Sequence, residues 1–288
     1  MRLICSIFSL LIIMSSCVRD EVVISGNEPP NRTGLANIVY TSYVNKTYIA
    51  LLGREPEPAE RNSAIEALKK DNFLEEDRRV FVGDLVSQDA YFQKVYDDAR
   101  SDYLRGIDTF QIAQRIAIYR DLASVPGLPE VVKAFYAYEI DRMLLLRNMS
   151  EELGKGVIQI EDLHRRVVDN NLYDELNMGT ENFVTSVFEH FLYRYPSNAE
   201  LEEGKRMVDG GNGTLFLEKG KSKQDFTIIF FQSLAYKEGM VRYYFNRFLY
   251  REPTGLELAY YTNFLQENDL VGLQIEILIG DEFAGIDV

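Results

Sequence analysis

The stretch "LYREPTGLE", Leu249 to Glu257, places one arginine, two glutamates and a proline in nine residues, and the chain repeats it closely as "LLGREPEPAE" from Leu51 and "LYRYPSNAE" from Leu192. Aligned on proline, the copies read Leu52-x-Arg54-x-Pro56-x-x-x-Glu60, Leu192-x-Arg194-x-Pro196-x-x-x-Glu200 and Leu249-x-Arg251-x-Pro253-x-x-x-Glu257. Upstream of each, apolar or β-branched residues recur at i, i+3, i+4, i+7 and i+8: Val44 to Leu52, Val184 to Leu192, and Val241 to Leu249. That spacing predicts one buried helix face per copy. The helix must stop near Arg-x-Pro, because proline disfavours the α conformation in the residue before it and cannot extend the preceding hydrogen-bond ladder.

A second helix is predicted to start at once. Ser197-x-x-Glu200 and Thr254-x-x-Glu257 have the form of capping boxes, in which the hydroxyl accepts from the third helical amide and the glutamate reaches back to the cap amide. In the first copy Glu57 takes the cap place and Pro58 the first helical place. The repeated glutamate therefore closes a helix N-terminus, and the proline separates two helices at a tight corner. The arginine has two structural uses open to it, binding the last carbonyls of the first helix or pairing with an acid of the next. Contact with a ligand is the functional alternative.

Each corner is followed by an apolar stretch ending in an aromatic: Tyr91, Tyr236 and Phe283, lying 35, 40 and 30 residues after the corner proline. The unequal distances place insertions in the middle of each unit. In the second unit the insertion is "DGGNGTLFLEKGKSKQD", read as a Gly- and Lys-rich loop over 209–224, and Asp209, Asn212, Lys219 and Lys221 are its candidate ligand residues. Tyr236 lies five residues before Val241, so the second unit runs directly into the third.

The corners "YIALLGREPEPAE", "FEHFLYRYPSNAE" and "FNRFLYREPTGLE", with the tails "SQDAYF" and "GDEFAG", resemble a small bacterial helical domain of unknown function found in secreted and surface proteins. That domain is distantly similar to the repeats of phycobilisome linker polypeptides. The resemblance covers residues 37–100 and 180–288 and implies binding or assembly; it supplies no catalytic residues. The chain departs from the domain in having no tryptophan after the corner. Between the two regions, "FQIAQRIAIYRDLA" and "VVKAFYAYEIDRMLLL" predict further helices across a turn at Pro126–Pro129, and Tyr173 marks the decayed tail of another unit. The expected fold is all-α, a helical repeat array of helix pairs joined by Arg-x-Pro corners, with an N-terminal region over 37–175 and a C-terminal region over 176–288.

The first residues concern address. Arg2 and the apolar run Leu3 to Met14 precede Ser15, Ser16 and Cys17. The run is too short to span a bilayer comfortably and favours a secretory signal. "MSSC" resembles the bacterial lipobox, so residues 1–16 are expected to be a lipoprotein signal, Cys17 the lipidated residue and 17–36 a flexible tether. Met14 departs from the leucine commonest at its position. Val18, Asp20 and Glu21 lead to an outer-membrane address with surface display. With Cys5 lost in the signal, Cys17 is the mature chain's one thiol, which leaves no disulfide framework.

A net charge of −14 argues against nucleic-acid phosphates as partners, since that affinity comes from clustered Lys and Arg. The two histidines, His164 and His190, have no metal-ligand partner at helical spacing, and His190 lies opposite its helix's apolar stripe, so both are expected to face solvent. "GKS" at Gly220–Ser222 lacks the first glycine of a phosphate loop, because Leu215 stands there. Acid groups such as Asp97–Asp98 or Glu75–Asp77 are expected on solvated helix faces. These observations lead to no metal, no cofactor and a non-catalytic binding or scaffold protein, anchored to the membrane by its acyl group, with an envelope protein or extracellular polymer as partner. The alternative is a glycan- or peptidoglycan-directed hydrolase with an unrecognised carboxylate site, against which the absence of tryptophan weighs.

Overall fold

The computed structural model describes residues 37–70 and 72–286. The expected signal, Cys17 and the tether lie outside the described residues. The first helix pair is α1 (Asn37–Leu52) and α2 (Pro58–Lys70), followed by α3 (Glu75–Val86) and α4 (Asp89–Tyr103). A long hairpin of α5 (Thr109–Ala123) and α6 (Glu130–Arg147) comes next, then α7 (Met149–Gly154), α8 (Ile160–Val168) and α9 (Asn171–Leu176). The second pair is α10 (Thr180–Leu192) and α11 (Asn198–Val208), followed by the short strands β1 (Gly213–Leu215) and β2 (Glu218–Gly220) and by α12 (Lys223–Gln232). The third pair is α13 (Leu234–Leu249) and α14 (Gly255–Phe264), with α15 (Leu270–Ile279) and α16 (Asp281–Ala284) closing the described chain. The fold is all-α apart from the single β-hairpin among the described residues.

The predicted stripes are the buried faces. Val44, Thr47, Tyr48, Leu51 and Leu52 are buried on α1; Val184, Val187, Phe188, Phe191 and Leu192 on α10; Val241, Tyr244, Phe245 and Phe248 on α13, where Leu249 is half-buried. Each of these helices ends in a residue with left-handed backbone: Gly53 at φ 68°, Tyr193 at 55° and Tyr250 at 56°. Only glycine adopts that conformation without steric cost, so two corners carry tyrosine against local preference.

The corner bonds are the same in all three places. Glu60 accepts from the amide of Glu57 at 2.7 Å, Glu200 from that of Ser197 at 2.8 Å and Glu257 from that of Thr254 at 2.7 Å. The arginines answer the question their sequence left open by pairing two-pronged with these glutamates. Arg54 meets Glu60 at 2.7 and 2.8 Å, Arg194 meets Glu200 at 2.9 and 2.7 Å, and Arg251 meets Glu257 at 2.9 and 2.6 Å. Each also donates to the carbonyl of the residue that follows it and lies over a ring one and a half turns back, Tyr48, Phe188 or Phe245. The guanidinium and the backbone bond hold each glutamate carboxyl down at about 2.

A fourth corner escapes the sequence motif. Between α4 and α5, Arg105 has φ 51°, and Asp108 and Gln111 form a capping box with bonds of 2.7 and 2.9 Å, in a segment without proline or the Arg–Glu pair. The tail aromatics also share one position. Tyr91, Tyr236, Phe283 and Tyr173 are each the third residue of a helix and each is buried.

The described residues form one compact unit in which early and late helices interlock. Helix α3 packs on α15, α8 on α4 and α12, α10 on α13, and α1 touches α16. Tyr43 donates to the carbonyl of Leu278 at 3.2 Å, Lys46 to that of Phe283 at 2.6 Å, and Arg78, 1% exposed, pairs with Asp281 at 2.6 Å. Two buried phenols are held across the core from matching places. Tyr236 shares a 2.7 Å hydrogen bond with Nδ1 of His164, and Tyr91 accepts from Gln274 at 2.8 Å.

The histidine expectation is corrected. His164 is buried, and burial pushes its pKa down to about 3; His190 is half-buried, shares a 2.8 Å bond with Tyr173 and packs against Tyr103. The stripe of one helix could not reveal this, because Tyr103 and Tyr173 come from α4 and α9. Asp98 also departs from a solvated face, since it bridges Lys94 of its own helix and Arg247 of α13.

Candidate binding hairpin

The expected loop over 209–224 is instead a β-hairpin on a short lead. Thr214 pairs with Lys219, and the two-residue turn between Leu215 and Glu218 is Phe216 at φ 49° and Leu217 at φ 72°. Both turn residues are left-handed, which matches the twist of a two-residue hairpin but is ordinarily met by Asn-Gly or Asp-Gly. Bulky side chains there cost on the order of 1–2 kcal/mol each. The hairpin is tied down from both flanks. Glu203 of α11 accepts from the Thr214 amide at 2.7 Å and from Arg206 at 2.8 Å, while Asp225 of α12 accepts from the Lys221 amide at 2.8 Å. That backbone bond lowers the Asp225 pKa.

Leu215 is buried, and Phe216 lies 6.0 Å from the rings of both Phe188 and Phe230, so packing offsets its strained backbone. Leu217 has no such account. It is 94% exposed at the tip, over an open groove of about 720 Å³ whose apolar wall includes Ile228, Ile229 and Leu234. On the other side of the hairpin a second groove of about 520 Å³ is lined by Arg206, Asn212, Lys219 and Lys221. Three of the four predicted ligand residues, Asn212, Lys219 and Lys221, thus converge. Asp209 does not: it accepts from Thr180 at 2.5 Å, away from that groove. Leu217 was missed because the insertion was read as irregular loop; the run "TLFLEKG", apolar between two glycines, was the available signal of a hairpin.

A cleft of about 660 Å³ beside α4 and α7 is lined by Gln93, Arg147, Ser150 and Lys155, and a second polar cleft is much smaller. Between α4 and α13, Lys94, Asp98, Asp102, Tyr243 and Arg247 line a cavity of about 30 Å³, room for a water molecule or two. Asp98 is engaged by both cations there. Elsewhere, Asp97 pairs with Arg100, Glu75 with Arg79, and Asp77 accepts from the Leu74 amide at the start of α3. Among the described residues no group of three His, Cys, Asp or Glu is placed to hold a metal ion, and no helix is long and apolar enough to cross a membrane. Comparison with protein-family models, curated proteins and solved structures finds no match to this chain.

Proposed function

We propose that this protein is a non-catalytic binding or scaffold lipoprotein, lipidated at Cys17, working at the outer membrane or cell surface, and presenting the 213–220 hairpin to an envelope protein. The recurring corners read as an array of helix pairs related to the secreted helical domain that the sequence resembles. The observation that carries binding is Leu217, an apolar side chain held almost wholly in water at an unfavourable backbone angle, beside a groove with further exposed leucine. Such a feature costs the free protein stability and gains its value on contact. The mixed-charge groove behind it, where Lys219 and Lys221 stand with Glu203 and Asp225, supplies a polar rim.

The test is crosslinked affinity purification of the full-length protein from its own membranes, comparing wild type with Leu217→Asp and with Cys17→Ala. Aspartate tolerates the left-handed backbone better than leucine, so the tip variant is expected to fold at least as well. One stoichiometric envelope partner, lost with Leu217→Asp and reduced with Cys17→Ala, is the expected result. The same set of recovered proteins with and without Leu217 would overturn the assignment of the hairpin.

A further inference from the structure

Helices α4 and α7 run antiparallel beneath the cleft of about 660 Å³. At one end Oδ1 of Asp89 stands 3.5 Å from where a Cβ on Gly154, the last residue of α7, would sit. Midway Ser150 donates to Gln93 at 2.9 Å. At the other end come Tyr96 of α4 and Arg147, which closes α6 just before α7 begins. Asp89 and Tyr96 are seven residues apart on one helix, roughly 10 Å at the rise of about 1.5 Å per residue.

Three groups in this cleft have bonding capacity that the described residues do not use. Arg147 gives its Nε to the Asn148 side chain at 3.3 Å, and neither of its terminal amino groups has a partner among the described residues. That is unusual in an acidic chain whose other arginines are mostly held by carboxylates, as Arg78, Arg115 and Arg166 are. The Asp89 carboxylate has no ion pair or hydrogen bond among the described residues either. Tyr96 is 1% exposed, and its hydroxyl is buried without a partner. Burial pushes its pKa up to about 12, against the pull of Arg100 and Arg147. Native folds seldom leave a buried hydroxyl unbonded without a use for it. Lys155 and Glu151 on the rim pair with each other and add no net charge.

We infer that this cleft binds a short peptide by its two free ends, the carboxylate on Arg147 and the ammonium on Asp89. A guanidinium fixed by its Nε and open at both amino groups matches the two oxygens of a carboxylate, and the Tyr96 hydroxyl is a further donor at the same end. A simple anion would leave Asp89 unanswered. Length selects the peptide: an extended chain covers about 3.3–3.6 Å per residue, so roughly 10 Å is spanned by about three residues. The middle of the cleft, where Ser150 and Gln93 bond each other, is uncharged, as the stretch between two peptide ends requires. Its volume of about 660 Å³ falls within the roughly 300–1,000 Å³ of small-ligand pockets. The site stands apart from the 213–220 hairpin and does not depend on what that hairpin binds.

Calorimetric titration of the full-length chain in mild detergent with trialanine tests the inference, beside trialanine amide, N-acetyl-trialanine and glucuronate. Trialanine is expected to bind saturably at millimolar concentration or below, amidation to weaken it about tenfold or more, and acetylation to weaken it several-fold. Arg147→Ala is expected to bind the acid and the amide alike, and Asp89→Asn to bind the free and acetylated forms alike. Tyr96→Phe is expected to raise the melting temperature of the free protein while weakening trialanine, opposite signs that a purely structural hydroxyl would not give. Absence of saturable trialanine binding, equal binding of free and blocked forms, or variants that still tell those forms apart would overturn it. Glucuronate binding where trialanine does not would overturn it in favour of an acidic sugar.

Discussion

Nδ1 of His164 lies 2.7 Å from the hydroxyl of Tyr236, in a part of the core where neither side chain reaches water. His164 stands nine residues before the tail aromatic Tyr173, and Gln274 stands nine before Phe283, where it holds Tyr91 in the same way. The residue needed at this place is therefore a hydrogen-bonding side chain rather than a histidine. Replacing His164 by Gln is expected to leave stability near neutral pH within about 1 kcal/mol, and His164→Leu to cost about 1–3 kcal/mol by stranding the phenol. Burial holds the folded histidine's pKa down at about 3. Between the ordinary pKa near 6.5 and that value the unfolded chain takes up a proton the folded chain refuses, so wild type loses ~1.4 kcal/mol per pH unit from this site on acidification. Urea melts at pH 7.5 and 4.5 check this, with His164→Gln lacking the loss.

Glu161 acts in the opposite direction. Burial first, with Asp269 and Asp162 nearby, raises its pKa to about 7, and one of its carboxylate oxygens is buried without a hydrogen-bond partner among the described residues. Because the folded pKa is raised, its contribution is fully present below about pH 4.5 and is lost as pH rises through 7. Glu161→Gln is expected to be more stable than wild type by about 1–2 kcal/mol at pH 8, after allowance for partial solvation. The difference should vanish at pH 4.5, as read by chemical denaturation at both pH values.

The three corner arginines are not equal. Arg251 binds Glu282 of α16 as well as Glu257, with bonds of 2.6 Å to each oxygen of Glu282, and so links its corner to the next tail. Arg251→Ala is expected to cost about 1–2 kcal/mol and Arg54→Ala less than about 1 kcal/mol, since both sites are partly solvated. The corner glutamates have folded pKa values lowered to about 2, so their contribution holds above pH 4.5 and falls away toward pH 2. Melting temperatures of the two variants at pH 7 give the comparison.

Backbone strain at the corners predicts a sign difference between two tyrosines. Tyr250, 88% exposed with φ 56°, has no ring partner among the described residues, and Tyr250→Gly is expected to stabilise by up to about 1 kcal/mol. Tyr193 stacks on Tyr243 at 5.8 Å and 10°, so Tyr193→Gly loses packing and is expected to gain nothing. Thermal melts of both variants test the contrast.

Among the described glycines, Gly239 of α13 lies closest to a neighbouring backbone. A Cβ there would sit 2.0 Å from the Phe191 carbonyl oxygen of α10, a backbone atom that cannot move aside alone. Gly239→Ala is expected to cost more than about 3 kcal/mol or to prevent expression as a folded chain. Retention of a wild-type melting temperature would refute the close approach.

The corners were legible because their determinants are local. Proline, the cap hydroxyl and the glutamate three residues on act within one turn, and their spacing repeats without change. The fourth corner, at Arg105, was missed because it keeps the left-handed turn and a capping box while dropping proline; Asp108-x-x-Gln111 was the remaining signal. Burial of His164 and His190 was not legible, since it depends on Tyr236, Tyr103 and Tyr173 arriving from other helices. At the hairpin the polar residues Asn212, Lys219 and Lys221 could be read from composition, whereas the apolar tip could not, because a turn built on Phe216 and Leu217 runs against turn chemistry.

The bond from Tyr43 to Leu278 and the pairing of Arg78 with Asp281 tie the beginning of the folded body to its far end. A ribosome delivering this chain cannot let α1 and α3 settle in their final setting until residues 270–286 have emerged, some two hundred residues later. The final docking of the first helices is thereby postponed until synthesis of the body is nearly done, and until then their buried faces wait for a partner that the ribosome has not yet delivered.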